Sequence, residues 1–472
     1  MSEVAERMSR VDTAWLRMDN DVNLMMIVGV WLLEPAITHA ALCRRIEDRL
    51  LKFGRFRQKV VHDAIGASWV DDDDFDVHRH VVVEKLARRR GQSERTALQL
   101  RAGELATTPL DTAHPLWQFH LVERYGGGSA LIVRIHHCIG DGIALISVMM
   151  SITDGGSDPP TRHGHAVDEA HEGDWLTDAV IKPLTDVAVK AIGMYGNGVA
   201  RSMEALAQPH QLLGSAELAR AGAQVARDLA ALALMPDDSP TRLKGKPAGH
   251  KVVAWSEPMP LDRVKAVGKA LGCSINDVLL SCAAGAIGRY LRQQGDDPTG
   301  QEIRAMVPVN LRPLDQAWQL GNRFGLAPLV LPIGIENPIE RVYAVRQRMN
   351  EMKGSYQPLL AFGVLAVAGL LLKPMQDALL GMFARKATAV MTNVPGPALP
   401  MTLCGSTLRQ SMFWVPASGD VGVGVSILSY AGGVQFGLIT DQKLCPQPQQ
   451  IIDDFGPEFD RLLTVTLMLP WV

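Results

Sequence analysis

The chain has 472 residues, of which 47% are hydrophobic and 21% are charged, a composition that is typical of globular proteins and excludes wholesale disorder. Its length exceeds that of one ordinary core and predicts two domains of about 200 residues each. Because 47 basic residues are balanced by 50 acidic ones, the net charge is −3, and no basic excess is present to neutralise a phosphate backbone. Nucleic acid is therefore not an expected partner.

The cysteines and the N-terminus indicate the compartment. The 6 cysteines form no CxxC pair and are too few for a disulfide scaffold, so buried free thiols in a reducing cytoplasm are expected. The N-terminal residues mix acidic and basic side chains and lack the positive region of a signal peptide.

The first half of the chain is dense in patterns that predict strands. The apolar run Leu24–Leu33 is expected to form a buried strand, and Trp69–Asp76 leads through an acidic turn into an extended stretch at His80–Val83. Two further extended runs, Trp117–Arg124 and Ser129–His136, are joined by glycines and predict a hairpin. The histidines beside the acidic turn lack a ligand spacing, so no metal site is predicted in this chain.

The middle of the chain separates two domains. Asp154–Asp174 is rich in Gly, Pro and His without apolar periodicity, which is typical of a linker, and Pro236–Pro247 makes a second break. The pattern between them, from Trp175 to about Leu234, is helical. We therefore predict an N-terminal domain at 1–155, a linker and helical segment at 156–249, and a C-terminal domain at 250–472.

Helices and strands alternate again in the second half, which indicates an α/β fold. A strand at Lys251–Trp255 precedes a helix at Leu261–Leu271, and Ser274 and Asp277 form a capping box for the next helix. Later strands are predicted at Ile303–Val309, Gly422–Ser429 and Val434–Thr440.

The longest apolar run, Leu359–Leu372, has two interpretations. It is shorter than the ~20 residues that cross a bilayer, so no membrane span is predicted. Either it forms a buried core helix, or it lines a lipid tunnel or dips into a membrane surface.

The segment from Arg134 to Ile143 carries the candidate chemistry. A strand ends at His136 and His137, and a short loop then reaches Asp141 and Gly142. Adjacent strand residues point to opposite faces, so the two imidazoles are not expected to share a metal; one can project into a cleft as a general base while the other packs behind it. We expect Asp141 to brace the loop by pairing with an arginine, and Gly142 to allow close backbone approach.

A nucleophile to accompany this base is missing. The sequence contains no GxSxG elbow, no Walker-type loop and no GxGxxG motif, and Cys138 is expected on the other face of the strand from His137. A base without a nucleophile favours direct attack, in which an acceptor hydroxyl is deprotonated as it strikes an activated carbonyl.

These residues resemble a known family. The HHxxxDG pattern from His136 to Gly142 is the signature of the CoA-dependent acyltransferase superfamily, and the surrounding blocks are similar to bacterial bifunctional wax ester synthase/diacylglycerol acyltransferases. The blocks occur in the family's order over nearly the whole chain: Pro109–Asp111, Pro115–Trp117, Ser274–Leu279, Met306–Arg312, Gly321–Asn322, Asn393–Pro397 and Ser429–Tyr430.

The resemblance implies two chloramphenicol-acetyltransferase-like α/β domains, with mixed sheets flanked by helices and joined by a helical linker. It implies an acyl-CoA-dependent O-acyltransferase that makes wax esters from long-chain alcohols, triacylglycerol from diacylglycerol, or both. Acyl-CoA is then a substrate, and no separate cofactor is expected. A cytoplasmic location with peripheral contact to the inner membrane and to lipid droplets or inclusions is the corresponding expectation.

The resemblance also assigns roles to residues. His137 corresponds to the proton acceptor and His136 to its supporting neighbour, within a motif that includes Gly142. Asp141 corresponds to a structural residue, for which Arg312 is the candidate partner. Substrate-binding residues are not assigned.

Asn276 corresponds to the family's Asn-Asp motif. It falls at the second position of its helix, where free N–H groups and the positive end of the dipole favour a developing oxyanion. Two alternatives remain open: an acyltransferase of the same superfamily with another donor or acceptor, and a non-catalytic lipid-body-associated protein.

Overall fold

The computed structural model describes residues 5–63, 66–156, 234–311, 319–353, 357–368, 371 and 373–469. Two sequence-based predictions lie outside these residues: most of the linker and helical segment assigned to 156–249, and the pairing of Arg312 with Asp141.

The helices of the described residues are numbered in chain order. They are α1 (Arg10–Met18), α2 (His39–Asp48), α3 (Val77–His80), α4 (Glu94–Ala106), α5 (Gly142–Ser151), α6 (Leu261–Leu271), α7 (Ile275–Gln293), α8 (Pro338–Lys353), α9 (Gln357–Ala368), α10 (Lys373–Ala384) and α11 (Pro448–Leu467). The predicted bounds of α6 are confirmed, and so is the capping box of α7, in which the Ser274 and Asp277 side chains each accept from the other's backbone N–H.

The strands form two large sheets and one small one. They are β1 (Glu6–Arg7), β2 (Met26–Glu34), β3 (Gln58–His62), β4 (Ala67–Asp71), β5 (Val81–Val83), β6 (Trp117–Tyr125), β7 (Gly128–His136), β8 (Lys251–Trp255), β9 (Met259–Pro260), β10 (Ile303–Asn310), β11 (Phe324–Leu331), β12 (Ala389–Pro395), β13 (Thr402–Leu403), β14 (Ser406–Trp414), β15 (Val423–Tyr430) and β16 (Gly433–Asp441). The first large sheet has the order β13-β14-β2-β7-β6-β5, and the second has the order β11-β10-β12-β15-β16-β8, with β9 beside β16. Both contain parallel and antiparallel pairs, which confirms the predicted mixed α/β class.

The β6–β7 hairpin at the centre of the first sheet confirms the prediction for this segment. Gly126 and Gly127 take positive φ values of 57° and 84°, which the twist of a tight hairpin turn requires. The next glycine, Gly128, lies so close to the neighbouring strand that a Cβ would collide with the Leu33 carbonyl. Every residue of β7 is buried, so the strand delivers its last residue, His136, into the interior.

The chain crosses between the two sheets near its C-terminal end. Strands β13 and β14 lie within the predicted C-terminal domain, yet β14 pairs antiparallel with β2 of the N-terminal sheet. Leu403 and Leu408 accordingly pack into the same core as Trp31 and Leu131. A contiguous C-terminal domain at 250–472 therefore does not describe residues 402–414, while the other domain bounds remain predictions.

Two local predictions need correction or completion. His80 ends the one-turn helix α3 rather than beginning the extended stretch, which starts at Val81, because Asp76 caps the turn by accepting from the His78 N–H. The apolar run Leu359–Leu372 contributes to α9, which packs on α1 and β11, with Leu360 and Leu365 buried.

Among the described residues, no single helix is both long enough and apolar enough to span a bilayer. The bent pair α6 and α7, which meet at 101°, passes that length and composition test only when the two are combined.

Candidate active site

The two adjacent histidines lie where β7 meets the loop before α5. His136 pairs with Met26 of β2, and the backbone N–H of His137 donates to the Met25 carbonyl at 2.7 Å. Their rings have different neighbours, as the alternation of a strand predicts. Both side chains are only 3% exposed, so the expectation that one ring opens into a cleft is not met.

The His137 ring lies among aromatic side chains. It stacks on Trp15 of α1 with centroids 4.2 Å apart and planes 12° apart, and the Phe324 ring lies 5.5 Å away at 40°. Its Nδ1 is buried without a hydrogen-bond partner in the described part of the chain. Burial lowers the pKa of His137 to about 4, so the imidazole is neutral near pH 7 and can accept a proton.

His136 is held in a polar arrangement. The backbone N–H of Cys138 donates to its Nδ1 at 3.1 Å, so this nitrogen carries a lone pair and the neutral ring has its proton on Nε2, which lies 3.2 Å from the Asp19 carboxylate. Burial disfavours the charged ring, but Cys138 and the Asp19 carboxylate outweigh it and raise the pKa of His136. The hydrogen bond from the Cys138 N–H is made by the neutral ring only, because it needs the lone pair on Nδ1. These contacts support a role as the fixed neighbour of His137.

Asp141 is the N-cap of α5. Its Oδ1 accepts from the Ala144 N–H at 3.0 Å, and its Oδ2 accepts from the backbone N–H of Arg323 at 2.9 Å. The carboxylate thus joins the histidine loop to a segment far along the chain through backbone amides. The loop is joined to that segment again at Gly140, which forms a parallel bridge with Gly321.

A second connection, which the sequence analysis did not assign, lies behind His137. Asn322 Nδ2 donates to the His137 carbonyl and to Asp12 Oδ1, each at 2.7 Å, and the Asn322 N–H donates to the same Asp12 oxygen at 3.0 Å. Burial raises the pKa of Asp12 against the opposing effect of Arg55, whose guanidinium lies 3.7 Å away. Asp12 and Trp15 are three positions apart on α1 and therefore lie on the same face of the helix, one turn apart. This spacing is the sequence signal that could have identified them as residues of the site.

Gly142 lines the first of two apolar cavities. This cavity is bounded by α5, by strands of the N-terminal sheet and by the turn at Gly396 and Pro397. A Cβ on Gly142 would meet nothing within 4 Å, so the glycine does not serve close backbone approach as predicted. Instead, its missing side chain leaves room in the cavity.

The second cavity lies beside Trp15. Its wall includes Trp15, Leu326, Leu365 and Leu380, so α9 contributes both to the core and to a cavity. Within the described part of the chain, His137 itself lines neither cavity. Trp15 therefore connects the second cavity to the imidazole on which it stacks. Apolar linings of this kind suit alkyl chains.

Asn276 lies at the second position of α7 and is exposed. Its Oδ1 accepts from Asn393 Nδ2 at 3.0 Å, at the start of the turn whose Gly396 and Pro397 line the first cavity. Because the oxygen is engaged, the Asn276 amide presents its N–H groups as donors. The structure thus links Asn276 to the Asn393–Pro397 turn rather than directly to the histidine loop.

The site combines a neutral buried base with two apolar cavities. A neutral imidazole can take a proton from a hydroxyl, and the Cys138 thiol is fully buried rather than placed as an exposed nucleophile. The arrangement fits proton abstraction from a molecule with a long apolar chain, followed by direct attack on an activated carbonyl.

Comparison with known proteins identifies relatives over the full length. The family model "wax ester synthase/diacylglycerol acyltransferase catalytic domain" matches residues 8–279, and the model "WS/DGAT C-terminal domain" matches residues 320–463. A Mycobacterium tuberculosis protein named probable diacylglycerol O-acyltransferase tgs1 is 25% identical over 97% of this chain and 96% of its own length. A second protein from the same species, tgs2, is 26% identical over 93% of this chain and 95% of its own length.

Solved structures have the same fold. The wax ester synthase/diacylglycerol acyltransferase from Marinobacter aquaeolei has a TM-score of 0.65 at 20% identity, covering 98% of this chain and 99% of the other. The first condensation domain of the calcium-dependent antibiotic synthetase has a TM-score of 0.58 at 16% identity, covering 99% and 97%. The predicted two-domain fold of this superfamily is confirmed.

Proposed function

The chain belongs to the wax ester synthase/diacylglycerol acyltransferase family and is an acyltransferase, and from this premise we propose how it uses its substrates. It transfers the acyl group of a long-chain acyl-CoA to the hydroxyl of a long-chain alcohol, of diacylglycerol, or of both. The observation that carries the proposal is the neutral, buried His137 ring, which is fixed at its carbonyl by Asn322 and stacks on Trp15, a residue that lines an apolar cavity.

In the proposed reaction, His137 takes the proton of the acceptor hydroxyl as its oxygen attacks the thioester carbonyl. The tetrahedral intermediate then collapses, the C–S bond breaks, and the imidazolium returns the proton to the CoA thiolate. The reaction balances with acyl-CoA as a substrate and requires no separate cofactor. General-base help of this kind contributes roughly 10²–10⁴-fold to rate.

Asn276 is proposed to stabilise the oxyanion. Its amide N–H groups remain available because Asn393 engages its oxygen, and the N-terminus of α7 adds a positive dipole end. Loss of one such donor costs about 10²–10³ in turnover.

The protein is further proposed to work in the cytoplasm at the surface of the inner membrane or of lipid droplets. The support is chemical: the acceptors and products partition into lipid, and both cavities of the described residues are apolar. Exposed apolar side chains, among them Leu399 and Met375, are available for such contact.

The test is turnover of the purified full chain with palmitoyl-CoA and either hexadecanol or a diacylglycerol, following CoA thiol release and identifying the lipid product. His137→Ala should lower the rate at least about 100-fold. His62→Ala, at an exposed histidine of β3, is the matched control and should retain activity.

Near-normal turnover by His137→Ala would contradict the proposal. Transfer only from carrier-protein thioesters, or only to polar acceptors, would indicate the other superfamily activity. Absence of CoA release with every acceptor would indicate a non-catalytic lipid-body protein.

A further inference from the structure

Three metal-ligating side chains meet in the N-terminal half, away from the histidine motif. His39 and Cys43 lie four residues apart on α2 and so share one helix face, and His78 lies on the short helix α3. The Cys43 side chain is buried, His39 is half-buried and His78 is exposed, so the cluster is reachable from solvent. No step of the proposed acyl transfer uses these residues.

The ligand atoms of this cluster lie close to one another. Cys43 Sγ lies 3.8 Å from His78 Nδ1, and it lies 3.9 Å from His39 Nδ1 and 3.5 Å from His39 Nε2. One ligand atom from each residue lies within 4.8 Å of the others. A tetrahedral zinc ion, with Zn–S near 2.3 Å and Zn–N near 2.05 Å, holds sulfur and nitrogen about 3.6 Å apart. The separations of Cys43 Sγ from the two Nδ1 atoms exceed this value by only about 0.2 and 0.3 Å.

The tautomer of His39 is already set for ligation. Its Nε2 lies 2.8 Å from the Val81 carbonyl, which can only accept, so Nε2 carries the proton and Nδ1 carries the lone pair. Metal-binding histidines ordinarily donate their second N–H to such a carbonyl or carboxylate. The Thr38 side chain caps α2 and holds His39 at its first position.

The local charge favours a cation. The Glu47 and Asp76 carboxylates both lie near the Cys43 thiol. The two carboxylates supply a negative field in which a divalent cation is attracted, and a bound cation stabilises the thiolate that ligates it. One thiolate and two imidazoles suit zinc better than magnesium or calcium, which prefer oxygen ligands.

We propose that His39, Cys43 and His78 bind one zinc ion, with water in the fourth position, and that the ion ties α2 to α3. Cys43 of α2 and Val77 of α3 pack in the same N-terminal core, and the ion adds a second connection between the two helices. The role is structural and is independent of the acyl-transfer proposal.

The experiment uses the full chain, purified without a polyhistidine tag and stripped with a chelator. Titration with Co²⁺ should give one equivalent per chain, together with a thiolate-to-cobalt charge-transfer band and the intense visible bands of a tetrahedral site. Zn²⁺ should displace the cobalt and raise the thermal midpoint, because a ligand that binds the folded state stabilises it.

Cys43→Ser should abolish the charge-transfer band and raise the apparent Kd for the ion by about 100-fold or more. His78→Ala should do the same to the affinity; because this side chain is exposed, the variant tests the site even if Cys43→Ser fails to fold. The matched controls are Cys404→Ser, whose sulfur also contacts α2, and His62→Ala, and both should bind as wild type does.

Two results would overturn the proposal. One is that the wild-type chain does not bind Co²⁺ or Zn²⁺ stoichiometrically at micromolar ion concentration. The three side chains would then make only S–H···N contacts with one another. The other is equal binding by wild type and His78→Ala, which would place the ion elsewhere.

Discussion

Asp12 and Asn322, which are 310 positions apart in sequence, are joined by a buried hydrogen bond of 2.7 Å directly behind His137. The same Asn322 amide donates to the His137 carbonyl, so α1 and the segment before β11 fix the backbone of the candidate base together. This connection makes Asn322 a positioning residue whose effect on turnover acts through His137.

Asn322→Ala should lower kcat by about 100-fold, because a displacement of the base by a fraction of an ångström to 1 Å has effects of that size. It should also reduce the free energy of unfolding by about 1–3 kcal/mol, since Asp12 and the His137 carbonyl both lose the Nδ2 donor while only the backbone N–H to Asp12 remains. Steady-state kinetics and chemical denaturation measure the two effects. Unchanged kcat with reduced stability would show that Asn322 is structural only.

Trp15 should control the protonation of His137. The buried ring has a pKa of about 4, so wild-type kcat/KM should stay constant from pH 8 down to about pH 5. Trp15→Ala admits water, which favours the charged form, and should move the acid limb towards the ordinary value of about 6.5. Trp15→Phe keeps an aromatic contact and should leave the limb near its wild-type position; identical profiles for the two variants would contradict this role.

Acidification should destabilise the fold because it protonates the buried His137 ring. The unfolded chain binds a proton at His137 near pH 6.5 and the folded chain only near pH 4, so stability present above pH 6.5 is lost as the pH falls between these values. The size of the loss is about 3 kcal/mol. His137→Gln should flatten the dependence of the unfolding free energy on pH, whereas His120, whose pKa burial also lowers to about 4, contributes equally to both proteins. Parallel curves would contradict the assignment.

The first cavity should limit the length of the substrate's alkyl chain, and the missing side chain of Gly142 should determine how much room the cavity offers. Gly142→Val places methyl groups in open space, so the thermal midpoint should change little while kcat/KM with long-chain substrates falls about 10-fold. Gly142→Ala should lie in between. Varying the chain of the acyl-CoA and of the alcohol separately shows which of them enters the cavity, and an equal loss for all lengths would indicate a disturbed loop.

Asp141 should matter for stability through its two backbone acceptor contacts. Asp141→Ala removes the cap of α5 and the acceptor for the Arg323 N–H, and should cost about 2 kcal/mol. Asp141→Asn keeps one acceptor oxygen and should cost about half of that. Denaturation curves of the two variants give the loss of unfolding free energy in each. A larger loss for Asp141→Asn than for Asp141→Ala would argue against this geometry.

Local patterns predicted the local parts of the site. Four features depend only on residues within a few positions of one another. They are the β6–β7 hairpin, the strand that ends at His136, the short loop to Asp141 and the capping box of α7. The partners of these residues could not be predicted in the same way. Asn322 reaches Asp12 and His137 only after two distant segments have packed together, and His78 reaches Cys43 across 35 positions.

The burial of His137 could not be predicted either, for a physical reason. A histidine at the end of a strand exposes its ring only when no other element covers it, and here Trp15, from a helix more than a hundred residues earlier, lies on it. The periodicity of β7 contains no information about that helix. The same holds for Gly142, whose role depends on the space left beside it.

The pairing of β14 with β2 has a practical consequence for protein engineering. A truncated chain that stops near residue 250 would leave the backbone groups of β2 without their partner strand and offer them to other chains, which promotes aggregation. Chimeras that exchange one half between relatives should therefore move residues 402–414 together with the N-terminal half. Whether two exchanged halves fit together depends on the pairing of β14 with β2.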